Sequence, residues 1–370
     1  MKYWRGYLVA FIAAACAWAL TLFASSHREL MDTIYPYVTR MLMDSLAQWS
    51  SSVQINLWQL AILVFLVGVL ASIVLMIVLR WNPIQWFGWV LAVVSCVNLI
   101  QVGLYDLNRY AGPIAEDLRL DDTPYSVVDM QKAARYFRDQ ANALSNRQIR
   151  GSDGTVETED FRVLAEQTEA GFHVMVYERS ASVLAGCMIP VKELGWADYY
   201  TSKGITGMTV GITGESAVNP QVPGVGLPFA ICHEMAHRMS IYNDSDADFA
   251  AFLACEANPS VQFRYAAFVM AYRNCRNALA QFDTTVAKRA LKELDEGTYY
   301  KVKTDLEQYE AFLGENASQV SDELCTMLVN WHIQKVILPQ QSEDELVTLF
   351  DPTDENQVDL SGIRAAPTES

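Results

Sequence analysis

The sequence predicts a chain in two parts, a membrane module of three apolar helices and a mainly α-helical outer domain with a small β-sheet, followed by an acidic tail. Two observations carry most of this. The long uncharged apolar runs all fall within the first 105 of 370 residues, and beyond them apolar residues recur at helical spacing except in one short stretch that alternates. A third observation, the loss of any period after residue 340 together with an excess of acidic residues, marks off 341–370 as a mostly disordered tail.

The apolar runs cover residues 6–24, 55–79 and 84–105, each at least the ~18 residues that mark a spanning helix. Trp58, Trp81, Trp86 and Trp89 lie near the ends of the second and third runs, where an aromatic belt places them. Lys2 and Arg5 precede the first run and Arg80 sits in the short turn between the second and third. The positive-inside rule puts both on the cytoplasmic side, a bias made modest by Arg28 and Arg40 in the intervening loop. Three crossings within a 1–105 membrane module then leave everything after Tyr105 outside the cytoplasm. Lys2 and Arg5 also resemble the n-region of a signal peptide cut near Phe23-Ala24-Ser25, yet a chain that starts outside and crosses as one hairpin also ends outside.

In the outer domain, 106–340, Asp122-Thr123-Pro124 opens a helix running to about Asn146, and Arg150-Gly151-Ser152-Asp153-Gly154 forms a loop. Phe172-His173-Val174-Met175-Val176 fits helix or strand. Met208, Val210 and Ile212 alternate with Thr209, Gly211 and Thr213, which predicts a short strand. Glu215 and Asn219 follow with Gly214 and Pro220, where turn chemistry is favoured over substrate contact. Helical patterns then cover the stretch after Pro228, a second helix through Cys255, 261–282, 283–296, and two more helices ending near Leu338.

The first of these helices contains His233-Glu234-Met235-Ala236-His237, two of only five His in the chain bracketing a Glu. Residues four apart on a helix lie one turn above one another, so both imidazoles reach one metal from the same face with a carboxylate beside them. That is the pattern of a Zn2+ site with its own general base, Glu234. The alternative, a polar stripe on a helix, leaves the bracketed Glu unexplained. A third protein ligand is needed. Asp244 reads as a helix N-cap, Asp246 and Asp248 face different sides of the second helix because they are two apart, and Glu256 is more distant. Asn243 stands where a metzincin has its third His, which excludes that pattern.

Several pieces resemble, in the right order, the bacterial membrane proteins grouped as domain of unknown function 3810. They are Tyr105-Asp106-Leu107-Asn108-Arg109-Tyr110, Gly211-Ile212-Thr213-Gly214-Glu215-Ser216-Ala217-Val218-Asn219, the stretch from Leu227-Pro228-Phe229 to His237, Asp246-Ala247-Asp248-Phe249 leading to Cys255, and Phe263-Arg264-Tyr265. The resemblance implies a short membrane-embedded N-terminus and a zincin-like α+β outer domain. It also implies Asp246 as third ligand, in a motif where the family shows Glu-Ala-Asn-Phe, so the ligand arm here is one methylene shorter. Similar zinc peptidases bind an extended peptide backbone on an edge strand ahead of the metal helix. Arg264 and Tyr265 are candidates to stabilise an oxyanion, with core packing the preferred role.

A net charge of −16 argues against nucleic acid as a partner. Of seven Cys, five fall in the outer domain without CxxC spacing, against a thiolate zinc site and a full disulfide framework. A single bridge such as Cys255 with Cys275 stays open. His173 and His332 read as surface or core residues. The expectation is therefore a multi-pass cell-membrane zinc metallopeptidase whose catalytic domain is extracytoplasmic, acting on a peptide or protein substrate with the lipid bilayer as its other partner. A membrane-anchored sensor or binding protein with a structural zinc is the rival, and Glu234 weighs against it, since a structural site needs no base and closes with four protein ligands.

Overall fold

The three long apolar runs all fold as helices, the form in which a backbone satisfies its own polar groups without water. In the computed structural model, which describes residues 4–120 and 125–339, α1 (Arg5–Ser26) leads through α2 (Arg28–Thr33) and α3 (Tyr35–Ser51) to α4 (Leu57–Val78) and α5 (Pro83–Leu104). Of these, α1, α4 and α5 are long and apolar enough to cross a membrane. α1 and α5 pack along small residues: Gly6, Ala10, Ala13 and Ala17 are buried on one helix, Gly88 and Ala92 on the other. A Cβ on Gly6 would come within 2.4 Å of the Gly88 carbonyl carbon, so the two backbones meet where only glycine fits. α4 turns into α5 at Arg80, in the left-handed region at φ 52°, and Trp86 Nε1 donates to Ser72 Oγ across the hairpin at 2.9 Å.

The outer domain continues with α6 (Ile114–Asp117), α7 (Val127–Ser145), α8 (Phe161–His173), β1 (Lys192–Glu193), α9 (Ala197–Thr201), β2 (Gly207–Val210) and β3 (Glu215–Val218). It ends with α10 (Leu227–Arg238), α11 (Asp244–Ala257), α12 (Val261–Ala280), α13 (Thr285–Gly297), α14 (Tyr300–Leu313) and α15 (Asp322–His332). The molecule is mainly helical with one small sheet, ordered β1-β3-β2, β3 being parallel to β1 and antiparallel to β2. β2 is thus an edge. Phe137, Phe252, Phe268 and Trp331 form the centre of the helical core, with Phe252 and Trp331 edge to face at 4.9 Å.

Several expectations change here. α7 starts at Val127 under a Ser126–Asp129 capping box; the expected opening at Asp122-Thr123-Pro124 lies outside the described residues, as does the 341–370 tail. Phe172 to Val176 is helical, α8 running on into a wider turn over Val174–Glu178. The strand stops at Val210, because 211–214 form a turn with Gly214 at φ 64°, and Ile212 lies in that turn. Cys255 lies 3.3 Å from Cys232, sulfur to sulfur, rather than beside Cys275, which hydrogen-bonds Cys325. His332 is buried against Tyr136, its Nδ1 without a hydrogen bond.

Glu215 is neither a turn residue nor a substrate contact. It is buried, and its two oxygens accept from the backbone N–H groups of Leu57 and Trp58 at 3.0 and 3.1 Å while Lys192 Nζ pairs with it at 2.6 Å. The sheet thereby anchors the first turn of α4, whose free amides favour a negative charge. Asn219 does hold its turn, accepting from Gln221 N–H at 3.0 Å.

Candidate metal centre

α10 forms because Pro228 sits in its first turn and Phe229, Ala230, Ile231, Cys232, Met235 and Ala236 bury three sides of it. The remaining face carries His233 and His237, whose Nε2 atoms are 3.0 Å apart. Each ring is fixed by its other nitrogen. His233 Nδ1 bonds Asp248 Oδ1 at 2.7 Å, and His237 Nδ1 bonds the Ile241 carbonyl at 2.8 Å. Both Nδ1 atoms are thus engaged on the side away from the cleft, and the two Nε2 atoms converge on each other.

A carboxylate joins them. Asp244 Oδ1 lies 3.4 Å from His237 Nε2, and one ligand atom from each of His233, His237 and Asp244 falls within 4.8 Å of the others. Two ligands about 2.0–2.1 Å from a tetrahedral zinc ion stand about 3.3–3.4 Å apart, so the spacing and the nitrogen and oxygen donors fit Zn2+. Three protein ligands leave a fourth position open.

The carboxylate expected in that role, Asp246, is placed elsewhere. It is buried on the other side of α11, where Oδ1 accepts from Ile114 N–H at 3.3 Å, and burial pushes its pKa up to about 6. Asp248 touches His233 from behind, at the nitrogen turned away from the metal position, and Glu256 pairs with Arg179 at 2.6 Å. Asn243 rather than Asp244 holds the N-cap position of α11, and Asp244 is the first helical residue, its side chain turned toward His237. The signal available in the sequence was spacing: Asp244 and Asp248 are four apart, hence on one face of α11, whereas Asp246 is about 200° round the helix from either.

Glu234 is buried at the cleft wall, its Oε2 accepting from Thr209 Oγ1 at 2.7 Å. Ser216 Oγ donates to the Glu234 carbonyl at 2.9 Å, so β2 and β3 hold both ends of this residue. A Cβ on Gly207 would lie 2.6 Å from Glu234 Cγ and Oε1, so any side chain there would displace the Glu234 carboxylate. Arg264 and Tyr265 are absent from the site. Tyr265 donates to Asp305, itself paired with Arg150 at 2.7 Å in the core, and Arg264 points to the Pro259 carbonyl.

Burial alone would lower the His233 pKa, but Asp248, with Glu234 and Asp244 beyond it, outweighs burial and raises it to about 9. His237 bonding holds the Asp244 carboxyl below the usual carboxylate range. The cleft over these groups has a volume of about 910 Å³, is bounded by β2 on one side, and includes Tyr242 and Tyr309. Burial pushes the Tyr309 hydroxyl up to about 12, so it stays protonated as a hydrogen-bond donor.

A family model described as a protein of unknown function, DUF3810, matches residues 31–328. No curated protein and no solved structure matches the chain.

Proposed function

The chain belongs to the DUF3810 family of unknown function, and from its histidine and carboxylate cluster we propose that it is a membrane-anchored zinc metallopeptidase. The observation that carries this reading is the juxtaposition of two converging Nε2 atoms 3.0 Å apart, Asp244 beside them, and the buried carboxylate of Glu234 on the same helix turn. His233, His237 and Asp244 would hold the ion. Bound there, zinc supplies Lewis acidity toward a carbonyl oxygen and toward water.

The remaining work falls to the chain. Glu234 accepts the proton of the attacking water and passes it to the leaving amine nitrogen, Thr209 Oγ1 holding its carboxylate at 2.7 Å in one rotamer. Protonated Tyr309 donates to the oxyanion that develops on the scissile carbonyl. β2, unpaired on its cleft side, presents backbone groups to an extended peptide. An edge strand over a metal helix supports a zincin-like reading of the outer domain, and the positive charges at Arg5 and Arg80 support its placement outside the cytoplasm.

Glu234→Gln in the full-length chain is the test, with a quenched-fluorescent random-peptide library as substrate. Zinc content should match wild type while hydrolysis falls ~100- to 10,000-fold. Zinc-loaded wild type that cleaves no library member faster than Glu234→Gln would leave a metal-binding protein and overturn the peptidase reading.

A further inference from the structure

Helix α3, which lies between the first two spanning helices in sequence, is built inside out. Its two charged side chains turn toward the protein. Arg40 Nε donates to the Met239 carbonyl at 3.0 Å and its Nη1 to the Ala185 carbonyl at 2.9 Å, while Asp44 accepts from Cys187 N–H at 2.9 Å. The opposite face is apolar and exposed: Ile34 just ahead of the helix, then Tyr37, Val38, Met41, Leu42 and Trp49, each between 42 and 67% accessible. No charged residue of α3 shares that face; Ser45 and Gln48 are its polar members beside the terminal Ser51. A water-facing surface helix shows the reverse arrangement, and an apolar stripe of this length beside spanning helices marks a helix lying in the interface.

The same helix touches the metal helix. Thr39 Oγ1 donates to Ser240 Oγ at 3.0 Å, two residues past the end of α10, and the Arg40–Met239 bond closes the last turn. From the other side, Tyr105, which caps α5, donates to the His237 carbonyl at 3.2 Å, and Gln101 within α5 lines the cleft together with Tyr105 and Asp106. The metal-ligating residues thus sit about one helix diameter, ~10 Å, from α3, and the last turn of a spanning helix forms part of the cleft wall.

We propose that α3 is seated in the outer boundary of the lipid bilayer and that the cleft consequently takes, as substrate, the stretch of another membrane protein that adjoins its membrane anchor. The occupant of the α3 face is lipid, argued from the junction of α3 with the candidate spanning helix α5, where Tyr35 donates to the Gly103 carbonyl at 2.9 Å, and from the lack of charge on the face. The substrate class rests on the peptidase reading; the seating of α3 does not. A peptide entering along β2 rises about 3.4 Å per residue, so the few residues nearest an anchor are the ones that reach Glu234 without unfolding a distant domain.

Two measurements on the full-length chain separate these statements. In nanodiscs of phosphatidylcholine carrying a diazirine on one acyl chain, irradiation and peptide mass spectrometry should place adducts on residues 34–49 as well as on α1, α4 and α5. Adducts on the three spans alone, or cross-links from α3 to a second copy, would overturn the seating. In proteoliposomes, reporters with a randomised decapeptide starting either about 3 or about 40 residues from a single spanning helix are compared, with Glu234→Gln as background. Near-anchor reporters should be cut at least tenfold faster. Equal rates for both sets overturn the substrate class and leave the peptidase intact, whereas no cut above background in either set overturns the peptidase reading and the substrate class with it.

Discussion

Asp244 and Asp246 differ by two positions and by the whole of their chemistry. One is exposed beside His237, the other buried against the Ile114 amide. Asp244→Ala should therefore lower zinc affinity well over tenfold, because loss of a direct ligand exceeds the ~10- to 100-fold typical of residues behind the ligands, which is the range expected for Asp248→Asn. Asp246→Asn should change it less than about threefold, since Asn can still accept from Ile114. Competition against a fluorescent chelator reads all three, and a larger loss at Asp246 would restore the family-derived assignment. The raised pKa of His233, about 9, adds a pH dependence: the metal-free ring carries a proton at neutral pH that zinc must displace. Zinc affinity should climb about tenfold per pH unit from 7 to 9 and level off above, and Asp248→Asn should move that levelling toward neutrality. The same proton stabilises the metal-free fold at pH values below the unfolded-state pKa of ~6.5, a contribution lost as pH rises through about 9. A flat zinc-affinity profile in wild type would contradict the His233–Asp248 pairing.

At the scale of elements, the local signals were strong where they concerned one helix or one strand. Pro228 and the apolar run after it mark α10, and the alternation around Met208 marks β2, although the strand ends one turn earlier than its pattern because Gly214 allows the chain to reverse. Neither signal shows that β2 lies against Glu234. That contact depends on the crossing of a strand and a helix some 25 residues apart, and it gives Gly207 a role no composition rule assigns. Gly207→Ala should displace the Glu234 carboxylate and cut hydrolysis of the peptide library at least tenfold, with zinc content unchanged because the three atoms nearest a Cβ at Gly207 all belong to Glu234. Wild-type activity in Gly207→Ala would mean that Glu234 works from another rotamer.

At the scale of the molecule, the N-terminal apolar helices and the rest of the chain are joined by polar contacts: Glu215 on the first amides of α4, Tyr105 on the His237 carbonyl, Arg40 on the end of α10. An alkaline phosphatase reporter fused after Leu120 should be active and one fused at Asn82 inactive, from the charges at Arg5 and Arg80 and three crossings; the opposite result would reverse the topology. The three long apolar helices, most of the later helices, the His pair and its Glu were legible in the sequence alone, because each depends on spacing within one segment, where apolar run length and helical period set the rule. Only the tertiary structure decided that Asp244 joins the histidines while Asp248 orients one of them, that Glu215 caps a spanning helix, that Cys232 rather than Cys275 faces Cys255, and that α3 turns its charges inward. Those facts join residues on different elements, two of them across more than a hundred positions, and they are set by how helices cross and rotate as they bury their apolar faces, which no single segment's period contains.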